Sequence, residues 1–192
     1  LAYLRPIPNL VISSPLNELD LRNLMYTGYK ENNGPFVIRY PRGKGEMADW
    51  RNEMHVLPIG KGKKLRDGDD IAILSLGPIG NEVIKAIKEI EGDGISIAHY
   101  DMIYLKPMDE ELLHEVGKKF SRIITVENGV IRGGLGSAVL EFMADNGYTP
   151  KIKRIGVPDE FVEHGPISEL YKLCGMDAKC IAEEIKKMVI GG

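Results

Sequence analysis

Few features of this chain point to a special environment. It has only two cysteines, Cys174 and Cys180, close together near the end and not in a CxxC arrangement. Free thiols in a reducing compartment suit them better than a disulfide or a metal site. No apolar run approaches the length of a membrane span, and the N-terminus lacks the charged-then-apolar pattern of a signal peptide. A soluble, cytoplasmic protein without membrane contact is expected. Neither sign of charge dominates: 25 Lys and Arg against 28 Asp and Glu leave a net −3, so no polybasic surface argues for nucleic acid or anionic lipid. Tryptophan occurs once, at Trp50. His55, His99, His114 and His164 lack metal-ligand spacing and have no paired cysteines to complete a zinc site. His164, in a loop after the last expected strand, is the best-placed histidine for a site; the alternative is a loop-ordering hydrogen bond. Neither a Ser-His-Asp signature nor a facing carboxylate pair emerges. There is also no initiating Met: the chain opens directly on LAYLRPIPNLVISSP, as expected of a fragment.

What is present is globular. The 192 residues, 43% apolar and 28% charged, suffice for a real core and for one domain plus part of another. Gly34 to Gly43, reading GPFVIRYPRG, organises the first part. Phe36, Ile38 and Tyr40 alternate with Val37 and Arg39 as on a strand. Pro41 cannot donate to a ladder and ends it. Arg42 then arrives at the carboxyl end of a buried strand, the edge where ligands bind in open α/β sheets. Its planar fork of donors suits a phosphate or carboxylate; the alternative is a surface arginine in an ion pair.

Ahead of that strand, Asn9 to Ser13 is a short apolar run of the buried-strand type. Asn17 is placed to cap a helix carrying Leu21, Leu24, Met25 and Tyr29 on one face, stopped at Asn32-Asn33-Gly34. This β-α-β unit lacks the further strands needed to cover both faces, and residues 1 to 43 are expected to find them outside the chain. Lys44 to Leu57 reads as a linker. Beyond it, strands at 59–65, 71–76, 95–100, 123–126 and 152–155 alternate with helices at about 77–90, 109–120, 137–146, 167–173 and 178–189. Asp67-Gly68 reads as a hairpin turn. The pattern predicts a three-layer α/β domain with four parallel strands and one antiparallel edge.

Two glycine motifs have competing readings. Gly133-Gly134-Leu135-Gly136-Ser137 enters a helix, where free amides hold anions, but glycines there also let helix and strand pack closely. It lacks the lysine of a P-loop and the spacing of a dinucleotide fingerprint, so packing is the better reading. Gly92-Asp93-Gly94 has the form of a magnesium-binding triplet, yet it lies between a helix end and a strand start, at the amino edge.

The ordered set of motifs Tyr3-Leu4-Arg5, Ile7-Pro8, Leu24-Met25-Tyr26-Thr27, Ile38 to Gly43, Ile59-Gly60-Lys61-Gly62, Leu105 to Asp109, Gly133 to Leu140 and Gly156-Val157-Pro158-Asp159 resembles the C-terminal part of the 1-deoxy-D-xylulose-5-phosphate synthases. The resemblance covers essentially the whole chain. It implies enzymes that use thiamine diphosphate and Mg²⁺. They condense pyruvate with D-glyceraldehyde 3-phosphate, releasing CO₂, for isoprenoid precursors by the non-mevalonate route and for thiamine and pyridoxal. It also implies a homodimer, and a transketolase-like third domain here spanning 58–192, after a linker at 46–57 and a remnant of a central pyrimidine-binding domain at 1–45. By the same resemblance Arg42 grips the acceptor's phosphate. The catalytic, cofactor and metal residues are expected upstream, leaving none here and no activity in this piece alone. Two departures stand out: the family commonly has an arginine before the aromatic at Ile103-Tyr104, and Glu-Glu-Asn where Glu127-Asn128-Gly129 stands. The competing readings are another thiamine enzyme (a transketolase or a 2-oxoacid dehydrogenase β-subunit) and a stand-alone interaction or regulatory module.

Overall fold

The computed structural model describes residues 1–30, 34–43, 45 and 51–191; Asn32, Asn33, Lys44 and Trp50 lie outside the described residues. The first unit runs β1 (Val11–Ser13), α1 (Glu18–Lys30) and β2 (Phe36–Ile38). Asn17 caps α1 as its residue type demands, its Oδ1 accepting from the Asp20 amide at 2.9 Å. β1 and β2 pair in parallel.

The remainder runs β3 (Lys63–Arg66), β4 (Ile71–Leu76), α2 (Gly80–Glu89), β5 (Ile97–Asp101), β6 (Tyr104–Lys106), α3 (Glu110–Lys119), β7 (Arg122–Val130), α4 (Leu135–Asp145), β8 (Lys151–Val157), α5 (Ile167–Leu173) and α6 (Ala178–Ile190). A five-stranded sheet has the order β3-β5-β4-β7-β8. Four of its strands are parallel, and β3 is the antiparallel edge on β5. Alternation along the strands divides the core. Ala72, Leu74 and Leu76 face α3 and α4, while Ile71 and Ile73 face α2 and α6. No helix among the described residues is long and apolar enough to cross a membrane.

Three expectations are corrected. Asp67-Gly68 is not a hairpin turn, because β5 lies between β3 and β4. The turn is stitched instead to the start of β5: Asp70 Oδ2 accepts from the Ser96 amide at 2.7 Å. A Cβ on Gly68 would lie 2.1 Å from the Ile97 backbone, so only glycine allows that approach. Secondly, the first unit finds one neighbour inside this chain, since β6 pairs antiparallel with β1 to make a three-stranded sheet, β2-β1-β6. Its Tyr104 is fully buried among Val11, Leu24 and Ile103.

The third correction concerns α1. Leu24 is buried, but Met25 and Tyr29 are 61% and 83% exposed, and the rest of the buried face is polar: Asn23 and Thr27. Residues 51–57, part of the stretch read as a linker, explain this. Asn23 Oδ1 accepts from the His55 amide at 3.0 Å, Thr27 Oγ1 accepts from the Leu57 amide at 2.8 Å, and Arg22 donates to the Asn52 carbonyl at 2.7 Å. Main-chain donors laid against a helix need acceptors, so the apolar stripe gives way to an amide and a hydroxyl. Thr27→Val keeps the shape but leaves the Leu57 amide without its acceptor. It is expected to destabilise the protein by about 1–3 kcal/mol, read as a lower urea midpoint with unchanged slope.

Two buried ionisable groups share one face of β5. His99 Nε2 lies 2.8 Å from Ser75 Oγ, and burial drives its pKa down to about 4. Asp101 Oδ1 accepts from the Ile103 amide at 3.2 Å. Its pKa is pushed up to about 7 by burial first and then by the charge of Asp20, with the Ile103 hydrogen bond and Lys63 opposing. The folded state thus binds Asp101's proton more tightly than the unfolded chain does, and stability from that group is lost as pH rises toward 7. For His99 the sign is opposite: its contribution is present above pH 6.5 and is lost as pH falls toward 4. Between those values the two slopes offset each other. Asp101→Asn removes one of them, so the variant should lose stability on acidification from pH 6.5 to 4.5 more steeply than the wild type. The expected difference is on the order of 1 kcal/mol per pH unit, measurable as paired urea midpoints across the range.

Candidate functional site

The carboxyl ends of β1, β2 and β4 converge. After β1 the chain turns through Pro15 and Leu16, after β2 through Tyr40, Pro41 and Gly43, and after β4 through Pro78. These residues, with Tyr171 of α5, line a cavity of about 300 Å³. Arg42 lies between two of its lining residues and is exposed, bonded to none of the described residues. Its setting differs from expectation in one respect. β2 is only half-buried and ends at Ile38, so Arg42 is carried by the loop that follows and not by a buried strand end. Glu18 and Glu82 also line the cavity, so an anion is favoured at its Arg42 edge and not deep inside.

Arg39, placed by alternation on the face shared with Val37 and given no role, is the side chain the structure adds. Val37 packs into the larger core. Arg39, half-buried, follows it inward and forks onto Asn128: one terminal nitrogen donates to Oδ1 and the other to the main-chain oxygen at 3.0 Å. The Asn128 amide nitrogen donates to the Tyr171 hydroxyl at 3.2 Å. Burial lowers the arginine's pKa, with Tyr171 and Glu127 opposing. The one signal for it in the sequence was a charge sharing a strand face with the apolar Val37.

Glu127, next to Asn128, is 2% exposed. Its Oε1 accepts from the Gly136 amide at 3.0 Å, while its Oε2 has no partner among the described residues. Burial raises its pKa, opposed by the Gly136 and Leu135 amides. The α4 N-terminus entered through Gly133-Gly134 therefore already holds a carboxylate. A Cβ on Gly134 would lie 1.9 Å from Glu127 Oε2, so the glycine is needed for this close approach.

The other candidates separate. His164 is exposed on the loop before α5. Cys174 and Cys180 are free thiols, and a hydrogen bond to Asp177 together with burial raises Cys180 to about 11, away from nucleophilic use. Tyr104, at the departure from the family pattern, donates to the Leu57 carbonyl at 3.3 Å in a closed core. Nor do the residues present fit Mg²⁺ and a diphosphate. Asp93 of the Gly92-Asp93-Gly94 turn is paired with Lys186 at 2.7 Å, the α4 N-terminus is filled, and no cluster of His, Cys, Asp or Glu able to hold a metal occurs among the described residues.

The chain is 81% identical over 187 residues to the 1-deoxy-D-xylulose-5-phosphate synthase of Parabacteroides distasonis and 60% identical over 188 residues to that of Bacteroides fragilis. Each alignment takes in 97% of this chain but only 30% and 29% of the relative, so the chain spans under a third of their length. Among solved structures, a split-gene transketolase described as an inactive β4 tetramer matches with a TM-score of 0.86 and 29% identity, over 99% of this chain and 60% of that one. A transketolase variant from Pichia stipitis matches at 0.66 and 18% identity over 99% of this chain and 26% of that one, a likeness of fold alone. Residues 60–181 match the model of the transketolase C-terminal domain, and with the mixed five-stranded sheet this shows that the chain belongs to the transketolase C-terminal domain family.

Proposed function

We propose that this chain is the C-terminal part of a 1-deoxy-D-xylulose-5-phosphate synthase. The whole protein would condense pyruvate with D-glyceraldehyde 3-phosphate, with loss of CO₂, toward isoprenoid precursors. The observation that carries this reading is the 81% identity along nearly the entire chain to a synthase of that name, against 29% to the split-gene transketolase. In this reading residues 1–45 end a central domain, 46–57 link, and 58–192 form the third domain. Thiamine diphosphate and Mg²⁺ belong to the remaining two thirds of the enzyme, since the side chains here do not suit them. The full enzyme is a cytoplasmic homodimer, and exposed apolar side chains such as Phe161, Leu173 and Ile190 supply surface for contacts between chains.

Within that enzyme Arg42 takes the phosphate of the acceptor. Its support is positional: an exposed guanidinium on the loop at the ligand edge of the first sheet, beside an open cavity, and free of described partners. A two-point, charge-assisted contact there would orient the aldehyde as well as hold it.

In the full-length enzyme, Arg42→Ala is expected to lower kcat/KM for D-glyceraldehyde 3-phosphate by about 2 kcal/mol, roughly thirtyfold, and to leave unphosphorylated D-glyceraldehyde nearly unaffected. Equal losses with both acceptors would remove the phosphate role. Residues 1–192 alone are expected to give no heat on titration with thiamine diphosphate and Mg²⁺ and to turn over no pyruvate; saturable binding would contradict the division of labour.

A further inference from the structure

The order β3-β5-β4-β7-β8 reverses direction at β4, so the crevice beyond the carboxyl ends of β4 and β7 is the place where an open α/β sheet usually takes a ligand. Leu76 of β4 is in register with Glu127 of β7 there. The crevice is not vacant: Glu127 fills the α4 N-terminus, and Arg39 of the first unit lies on Asn128. One unit's side chain thus stands where the other unit would hold a ligand.

The backbone of Arg39 is also fixed. Its amide donates to the Ser13 carbonyl at 2.8 Å, and its carbonyl accepts from Ser14 Oγ at 2.8 Å. Both ends of the residue are therefore held, the main chain on β1 and the guanidinium on β7. The Tyr40 to Gly43 loop leaves from this anchored point. Tyr171, bonded to Asn128, lines the same cavity as Tyr40, Pro41 and Gly43. Arg39, Asn128 and Tyr171 form a rigid corner from which Arg42 is suspended.

We propose that Arg39 is a positioning residue for phosphate recognition: forked onto Asn128 at the switch point of the large sheet, it sets where the loop presents Arg42. The proposal rests on the reading of Arg42 as the phosphate-binding arginine. It gives the domain that carries Asn128 a defined part in acceptor selectivity. The planar fork matters, because lysine brings a single donor nitrogen where Arg39 brings two in a fixed plane, and so does not reproduce the two-point contact with the Asn128 oxygens.

The test uses the full-length enzyme with its cofactors, with Arg39→Lys, Asn128→Ser and Arg42→Ala made singly and Arg39→Lys combined with Arg42→Ala. D-Glyceraldehyde 3-phosphate and unphosphorylated D-glyceraldehyde are compared as acceptors. Arg39→Lys should raise KM for the phosphorylated acceptor about tenfold, the scale of a small misplacement of a binding group. Its kcat, and KM for pyruvate and for the unphosphorylated acceptor, should stay near wild type. Asn128→Ser, which shortens the other half of the contact, should do the same and serves if Arg39→Lys does not fold. In the Arg42→Ala background Arg39→Lys should add nothing to the loss of phosphate selectivity. Equal losses with both acceptors, or a phosphate-specific effect that persists without Arg42, would overturn the proposal. If Arg42→Ala is selective and neither Arg39→Lys nor Asn128→Ser is, only the positioning role falls; if Arg42→Ala itself shows no selectivity, the reading beneath it falls as well.

Discussion

The antiparallel pairing of β1 with β6 is the constraint on which the two-part architecture depends. Two parallel strands and one helix cannot bury an open sheet. Val11 to Ser13 are nevertheless buried, because Tyr104 to Lys106 lie along their free edge. The link also aims the molecule. With β1 held against a strand that follows directly on β5, the carboxyl ends of the small sheet are brought to those of the large one. The cavity beside Arg42 is the space left between them.

Polar contacts then secure what the strand pairing starts. The 51–57 segment is held on α1 through Asn23 and Thr27, and Lys106 donates to the Arg5 and Ile7 carbonyls at 2.9 and 2.6 Å. Arg39 closes the opposite side on Asn128. Most of these bonds have a main-chain group as one partner, and so fix geometry more than they add free energy.

Filling the switch-point crevice has a structural consequence. Open α/β sheets usually take a ligand at such a crevice, whereas here a buried carboxylate and an arginine from the neighbouring unit take it. The large sheet thereby closes its own switch point with its own side chains and one from the neighbouring unit. Its buried polar groups are engaged internally, with Glu127 on the helix N-terminus and His99 on Ser75, and the exposed guanidinium beside the cavity, Arg42, lies on the other unit.

The amino-acid sequence by itself determined the elements long enough to show a period. IAILSL is β4 at its expected bounds, Asn17 caps the helix its side chain suits, and the helices after Gly165 fall within a residue of their reading. Four parallel strands with one antiparallel edge followed from strand-helix alternation, but the order did not: the edge strand lies on β5, not on β4. Tertiary structure alone decided three things. β6 has three residues and no period, so only its partner β1 defines it as a strand. The buried face of α1 is polar because a distant segment supplies amides to it. Arg39 is an anchor and not a surface charge because Asn128, far along the chain, comes to meet it. In each case the deciding partner is remote in sequence, and local pattern carries no information about a contact whose other half it does not contain.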